Sequence, residues 1–168
     1  SLPHSPFLTD GWERWLAGIE RKKDELGVTF GQCHAYTYNF CAEMTESERR
    51  RHEELTERSV YCCAALGSRL CVTHPETDFD SPALVQSSKK KNTAYFRELL
   101  RKTEQYHMAF AVENMCDYAI APRRKYGVTP EELVDFVTDF GDERMGICWD
   151  FEHADIMKQD QRKSLLYI

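Results

Sequence analysis

Four short apolar runs recur about every forty residues along this chain, and this spacing limits its fold more than any other feature. The segments between the runs have helical spacing, and strands that alternate with helices at this repeat length predict βαβ units and a parallel sheet. The runs are residues 28–34, 70–74, 108–114 and 145–150, and each ends at or beside a potential metal ligand: His34, His74, Glu113 and Asp150. Because the carboxyl ends of parallel strands meet at one edge of a sheet, we expect these side chains to share a rim.

Helix-start and helix-stop residues separate the apolar runs. Asp10 is placed to cap a helix with apolar residues at i, i+3, i+4 and i+7, and Gly27 is placed to end it. Capping boxes at residues 45–48 and 129–132 begin two further helices. A stripe of apolar residues predicts another helix from residue 92 to about residue 107, and residues 158–168 are expected to be helical. The lysine-rich residues 86–91 are expected to form a solvated loop.

The chain is long enough for one domain with a hydrophobic core. It has 168 residues, of which 42% are hydrophobic, and no linker or low-complexity stretch divides it. Four βα units fit this length, whereas a complete (β/α)8 barrel takes roughly 250 residues. We therefore predict a single α/β domain over residues 1–168, built either as a small open parallel sheet or as part of a TIM barrel.

Charge and cysteine content narrow the classes of partner and compartment. The formal net charge of −6 argues against a nucleic acid as the main partner, because a phosphate backbone requires a positive face. Seven cysteines, an odd number without a C-x-x-C pair, predict reduced and mostly buried thiols. No apolar stretch approaches the roughly 18 residues that span a bilayer, so we expect no membrane contact and a cytoplasmic location.

Two carboxylates and a histidine are the first candidates for a metal site. Glu113 ends an apolar strand, where a carboxylate must be paired, protonated or bound to a cation. Asp150 and His153 have a D-x-x-H spacing just after the last apolar run. Their oxygen and nitrogen donors suit Mg, Mn, Co or Zn and do not choose among them. The alternative is that the two carboxylates only cap helices or bind backbone amides.

Histidines and aromatic residues near the same rim are candidates for substrate binding. His34 and His74 occupy matched positions in successive βα units, which favours a pocket over a role in the core. The rings of Tyr36 and Trp149 are placed to form part of the wall of a polyol pocket, with core packing as the alternative. The remaining histidines singled out, His4, His52 and His107, are expected at the surface.

Several segments of the chain resemble the xylose isomerase-like TIM-barrel superfamily, the sugar phosphate isomerases and epimerases that also include the endonuclease IV type of apurinic-site nuclease. The resemblance implies that the four strands are strands three to six of a (β/α)8 barrel. It also implies that Glu113 is a metal ligand and the acid/base carboxylate, that Asp150 is a second ligand, and that His153 binds substrate. The matching segments are QCHA (32–35), THP (73–75), VENM (112–115), YGVTPEEL (126–133) and GICWDFEHA (146–154).

The resemblance also implies a mechanism, and this chain carries only part of the metal site that the family uses for it. A divalent cation polarises the carbonyl of a ketose or aldose, a carboxylate removes the adjacent proton, and the resulting enediolate leads to an epimer, an isomer or a dehydration product. The family completes its metal site with a histidine and a glutamate from strands seven and eight. Because Glu113 and Asp150 are only part of that set, we expect the 168 residues of this chain alone to lack turnover unless a second chain completes the rim.

Two other functions stay open from the sequence. His34, His74 and Glu113 match the first zinc site of the nuclease branch, with Asp150 and His153 reaching toward the other two. Against this stand the acidic charge balance and a segment around Asp150 that is closer to the sugar enzymes. The chain could also be a non-catalytic half-barrel that binds a partner or self-associates through its exposed sheet edges.

Overall fold

Strands and helices alternate along the computed structural model, which describes residues 5–117 and 124–168. Short 3-10 turns occur at Pro6–Leu8 and Glu104–Tyr106. No helix within the described residues is long and apolar enough to cross a membrane. The elements are α1 (Trp12–Leu26), β1 (Cys33–His34), α2 (Glu46–Ala65), β2 (Leu70–Thr73), α3 (Leu84–Lys102), β3 (Ala109–Glu113), α4 (Pro130–Phe140), β4 (Met145–Cys148), α5 (Phe151–Ile156) and α6 (Gln161–Tyr167).

The four strands form one parallel sheet in the order β1-β2-β3-β4, which confirms the predicted α/β fold. The register aligns Cys71 with Phe110 and Phe110 with Met145, and these side chains belong to the core that the sheet shares with the helices. Residues of the opposite parity face the other side of the sheet. The register places His34 beside Val72 on that side, and Glu113 lies two residues beyond Ala111 in β3. The sheet therefore separates an apolar face from a face that bears ligand-type residues.

Most helix boundaries follow the capping signals. Thr45 begins α2 with a reciprocal capping box, and Thr129 accepts a hydrogen bond from the Glu132 N–H at the start of α4. Gly27 ends α1 in the left-handed region, with φ of 62°. The helix begins one residue later than expected, because Gly11 rather than Asp10 occupies the N-cap.

Two expectations about elements were wrong. Residues 86–91 are not a loop, because α3 begins at Leu84 and includes them. Polar contacts hold this part of α3: Ser88 accepts a hydrogen bond from the Asp78 N–H at 2.9 Å, and Asn92 is fully buried. The first strand is also much shorter than its apolar run, since β1 contains only Cys33 and His34. The seven cysteines are free thiols, and five of them are buried.

Candidate metal centre

Glu113 is the centre of a cluster that joins three strand ends. It is the last residue of β3 and is only 7% exposed. Its Oε2 atom lies 3.1 Å from Nε2 of His34, which ends β1, and 3.2 Å from Nε2 of His74, which follows β2. The two imidazole rings meet edge to face, with centroids 4.8 Å apart. The parallel sheet therefore brings together three of the four strand-end residues that the sequence singled out.

The other oxygen of Glu113 faces the end of β4. Oε1 lies 3.7 Å from Nδ1 of His153, and Asp150 is the N-cap of α5 just after β4. Two groups of ligand atoms result, each with all members within 4.8 Å of one another. One group is His34, His74 and Glu113, and the other is Glu113, Asp150 and His153. The carboxylate of Glu113 belongs to both.

A backbone contact fixes which nitrogen of His34 faces Glu113. Nδ1 of His34 lies 2.8 Å from the carbonyl oxygen of Ala35, and because a carbonyl only accepts, Nδ1 carries a proton. Nε2 is left to face the carboxylate of Glu113, and this contact is favourable when a second proton or a cation lies between the two atoms. Histidines that bind metals commonly donate their other N–H to a carbonyl in this way.

The electrostatics of the cluster favour a charged carboxylate. Burial raises the pKa of Glu113, but hydrogen bonds with His34 and His74 outweigh burial and hold that pKa well below its ordinary value. The bond to Glu113 in turn raises the pKa of His34, with burial opposing. Burial and then the charges of Glu113 and Asp150 raise the pKa of Cys148, which neighbours Glu113 in the register. The cluster therefore concentrates negative charge on the side of the sheet that Glu113 faces.

Asp150 and His153 are held by the turn between β4 and α5. Asp150 caps α5 by accepting a hydrogen bond from the His153 N–H at 2.7 Å, so one of its oxygens has a structural task. Nδ1 of His153 donates to the Asn114 carbonyl at 2.8 Å, which leaves Nε2 of that ring available. Capping does not remove Asp150 from the cluster, because its carboxylate still lies beside that of Glu113.

The donor set fits a divalent metal. Ligand distances near 2.0–2.1 Å, as for zinc bound by nitrogen and oxygen, place the ligands of a tetrahedral ion about 3.3 Å apart. The two contacts of Glu113 with His34 and His74, at 3.1 and 3.2 Å, are close to that spacing. Two imidazoles with one carboxylate is a known ligand set of catalytic zinc. The neighbouring carboxylates of Glu113 and Asp150 would repel each other less with a cation between them.

Comparison with known protein families shows what kind of domain carries this cluster. The family model described as xylose isomerase-like TIM barrel matches residues 5–166 of the chain. This chain belongs to that family. Its four βα units are thus a partial TIM barrel, as the sequence predicted. An uncharacterized protein of Methanocaldococcus jannaschii is 28% identical over 117 residues, which cover 67% of this chain and 38% of that protein.

Solved structures share the fold of this chain. A D-tagatose 3-epimerase-like protein superposes with a TM-score of 0.75 at 22% identity, over 95% of this chain and 57% of that one. The IolI protein with a binding zinc atom superposes with a TM-score of 0.69 at 17% identity, over 93% of this chain and 55% of that one. The chain spans little more than half the length of these structures.

Two residues expected in the pocket of this xylose isomerase-like domain have other partners. The Trp149 N–H donates to Gln161 of α6 at 2.9 Å, and its ring packs against the core, so the structure does not bring it to the cluster. Tyr36 lines a cavity together with His34, and its hydroxyl lies 2.9 Å from Nδ1 of His52. The expectation that His52 is a surface residue was therefore wrong, because it is half-buried in this contact.

Two further histidines were expected at the surface, and one buried residue of the site was not expected at all. His107 is exposed as expected, and His4 lies outside the described residues. Sequence reasoning overlooked Asn114, which is fully buried beside Glu113 and binds the backbone of Asp150. Its position directly after Glu113 was the only available signal.

Proposed function

We propose that this chain forms part of the active site of a metal-dependent sugar isomerase or epimerase. The observation that carries the proposal is the position of Glu113, whose two carboxylate oxygens face ligand-type side chains from the ends of all three other strands. In this proposal Glu113 and Asp150 hold a divalent metal, which is Mn, Mg, Co or Zn. His153, His34 and His74 contact a sugar or polyol substrate around it.

The residues have distinct tasks in this proposal. When bound, the metal supplies Lewis-acid polarisation of a substrate carbonyl. Glu113, which its histidine partners keep ionised, removes the proton from the carbon next to that carbonyl and later returns it. His153 is oriented by the Asn114 carbonyl and offers Nε2 to a substrate hydroxyl. Protonation of the same carbon on its opposite face by a second acid gives an epimer, and return of the proton by Glu113 to the former carbonyl carbon gives an isomer.

The relatives support this class of reaction. The matching structures include a D-tagatose 3-epimerase-like protein and a D-psicose 3-epimerase in the presence of D-fructose. The zinc in the IolI structure supports a metal on the same fold. Because the chain covers 57% of the first of these structures, we propose that further residues complete the metal site in the whole protein.

Metal-dependent binding of a ketose tests the proposal. Titration calorimetry of the protein with D-fructose should give binding with Mn²⁺ present and none after chelation. The variant Glu113→Gln should lose this binding because it removes the shared negative ligand. D-fructose binding that is equal with and without metal, or equal in the variant, would contradict the proposed function.

A zinc-dependent apurinic-site nuclease is the second candidate. The grouping of His34, His74 and Glu113 into one ligand set favours it, since the nuclease branch is expected to bind its first zinc there. Incision of an abasic-site duplex by the zinc-loaded protein would favour the nuclease over the isomerase. Absence of duplex binding at low salt would eliminate it, because phosphate contacts are strongest there.

A non-catalytic assembly module is the third candidate. In the described sheet β1 and β4 each pair with one neighbour only, and unpaired strand edges promote association. Self-association of the chain in sedimentation velocity, without metal or sugar binding, would favour this candidate. A folded monomer at high concentration would count against it.

A further inference from the structure

Thr77 contacts both neighbouring loops at the rim of the sheet. It lies in the segment between β2 and α3, three residues after His74, and is only 3% exposed. Its carbonyl accepts a hydrogen bond from Asn39 Nδ2 at 3.2 Å, in the loop that follows β1. Its hydroxyl accepts from the Tyr126 N–H at 2.9 Å, in the chain that leads into α4. One buried residue thus joins the loop after β1, the segment after β2 and the chain between β3 and α4.

Further contacts hold the segment after β2. Lys91 Nζ donates to the Cys41 carbonyl at 2.9 Å and pairs with Asp78 at 3.0 Å, which adds a second link to the loop after β1. The backbone of Glu76 is fixed on both sides by the side-chain amide of Asn92, at 2.9 and 2.7 Å. These contacts fix the segment mainly to α3 and to one loop. Only the hydroxyl bond described above fixes it to the chain before α4 through a polar side chain of its own.

We propose that Thr77 is a positioning residue that sets the place of His74 beside Glu113 for contact with the substrate. His74 is the first residue of the segment, and its Nε2 lies 3.2 Å from Oε2 of Glu113. A side chain that binds a substrate has to be held within about 0.5 Å of its productive position. The bonds of Thr77 meet this requirement by keeping the segment in register with the loops on either side. The inference rests on the proposed function, because the place of His74 matters to a sugar only if the sugar binds at the metal centre.

The role of Thr77 depends on one oxygen atom. A valine would fill nearly the same volume, but it would leave the buried Tyr126 N–H without an acceptor. An unpartnered buried N–H is unfavourable, so we expect the chain before α4 to shift toward another acceptor. Pro75 lies in close contact with Gly127 between the same two stretches of chain. The shift should therefore move the segment that begins at His74.

Sugar affinity and metal affinity, measured separately, test the inference. Titration calorimetry would give the Mn²⁺ affinity, and then the D-fructose affinity of the Mn²⁺-loaded protein, for the wild type, Thr77→Val and Thr77→Ser. We expect Thr77→Val to bind D-fructose about fivefold more weakly, which is the loss of one well-aligned hydrogen bond. Its Mn²⁺ affinity should change little, because Glu113 and Asp150 hold the metal in the proposed function. Thr77→Ser keeps the hydroxyl and should bind D-fructose like the wild type.

Thr103→Val is the matched control. Thr103 is 2% exposed, and its hydroxyl donates to the Leu99 carbonyl at 2.7 Å at the end of α3. It precedes β3 and so lies at the opposite edge of the sheet from Glu113, which ends that strand. The same substitution there should lower the free energy of unfolding and leave both affinities unchanged.

Asn39→Ala replaces Thr77→Val as the test if the valine variant does not fold, because it removes the donor to the Thr77 carbonyl from a half-buried side chain. Wild-type affinity for D-fructose in the folded variant would overturn the inference alone. An equal loss of Mn²⁺ affinity, or an equal loss of D-fructose affinity in Thr103→Val, would do the same. A Mn²⁺-loaded wild type that does not bind D-fructose would overturn the proposed function together with the inference.

Discussion

At the scale of single residues, Asn114 joins β3 to the turn after β4 with all four of its polar groups. Its N–H donates to the Cys148 carbonyl at 3.2 Å, and its own carbonyl accepts from Nδ1 of His153. Its side-chain amide accepts from the Asp150 N–H and donates to the Asp150 carbonyl at 2.9 Å. The side chain thus extends the pairing of the two strands and places Asp150 and His153 beside Glu113.

Replacement of Asn114 should therefore affect both stability and metal binding. We expect Asn114→Ala to lower the free energy of unfolding by about 2–4 kcal/mol, because two buried backbone groups of Asp150 lose their partners. Asn114→Asp should lower the free energy of unfolding at least as much, because it places a fully buried carboxylate against the carbonyl oxygen of Asp150. Urea denaturation measures both variants. An alanine variant as stable as the wild type would show that these bonds do not hold the turn.

The sequence predicted the meeting of His34, His74 and Glu113, because strand ends of a parallel sheet converge regardless of the loops between them. It did not predict the task of Asn114, which depends on backbone groups 36 residues away. The placement of Trp149 could have been read from strand parity. Trp149 lies two and four residues after Ile147 and Met145, so its side chain faces the same side of the sheet as theirs, where the helices pack. Cys148, which pairs with Glu113, faces the other side.

At the scale of elements, Gly127 permits a close approach between two loops near the site. It has φ of 78°, and a Cβ atom there would lie 2.5 Å from Cγ of Pro75. Its carbonyl accepts from the Met115 N–H at 2.8 Å, which ties the chain leading into α4 to the end of β3. Both the backbone conformation and the contact with Pro75 therefore require glycine.

We expect Gly127→Ala to lower the free energy of unfolding by about 2 kcal/mol or more, from left-handed strain and the clash with Pro75 together. Gly31→Ala is the matched control, because a Cβ atom at Gly31 would meet no heavy atom within 4 Å and the φ of Gly31 is not positive. Chemical denaturation should separate the two variants clearly. Equal stability would show that the loop moves to accept the methyl group.

The turn between α4 and β4 gives stability that depends on pH. Side-chain and backbone hydrogen bonds from Arg144 lower the pKa of Asp142 from 3.8 to about 2. A lowered pKa means that this contribution is complete above the ordinary pKa and is lost as the pH falls from about 4 to about 2. Asp142→Asn should lower the free energy of unfolding by at most about 1 kcal/mol, because the ion pair between Asp142 and Arg144 is partly exposed.

Unfolding free energies at several pH values measure the effect of Asp142→Asn. The difference from the wild type should be present at pH 6 and should shrink toward pH 2. Asp10→Asn, at an exposed position, serves as the control. A difference that stays constant over this pH range would contradict the assignment.

Elements were predictable where local chemistry sets their ends. Thr45, Thr129 and Gly27 mark helix ends through their own side chains or backbone freedom, so the sequence shows them. The first turns of α3 carry no apolar stripe, and contacts with distant residues hold them. Lys89, for example, pairs with Asp135 and Asp139 of α4, which no local pattern reveals.

At the scale of the whole molecule, the sheet divides two kinds of surface. One face carries the core shared with the helices, and ligand-type residues gather where the other face reaches the ends of the strands. The chain matches its family over residues 5–166 and spans little more than half of the related structures. The fold follows from hydrophobic periodicity and strand spacing, whereas contacts between distant residues, such as those of Asn114 with Asp150, carry no general signature in the sequence.

The metal affinities of the wild type and of Glu113→Gln show whether Glu113 is a metal ligand. Titration calorimetry with Zn²⁺ and Mn²⁺ should show binding to the wild type and to Glu43→Gln, a control that removes a carboxylate at an exposed position. Because Glu113 belongs to both ligand groups, Glu113→Gln should weaken binding by about a hundredfold or more. Undiminished metal binding by a folded Glu113→Gln variant would show that the cluster around Glu113 is not a metal site.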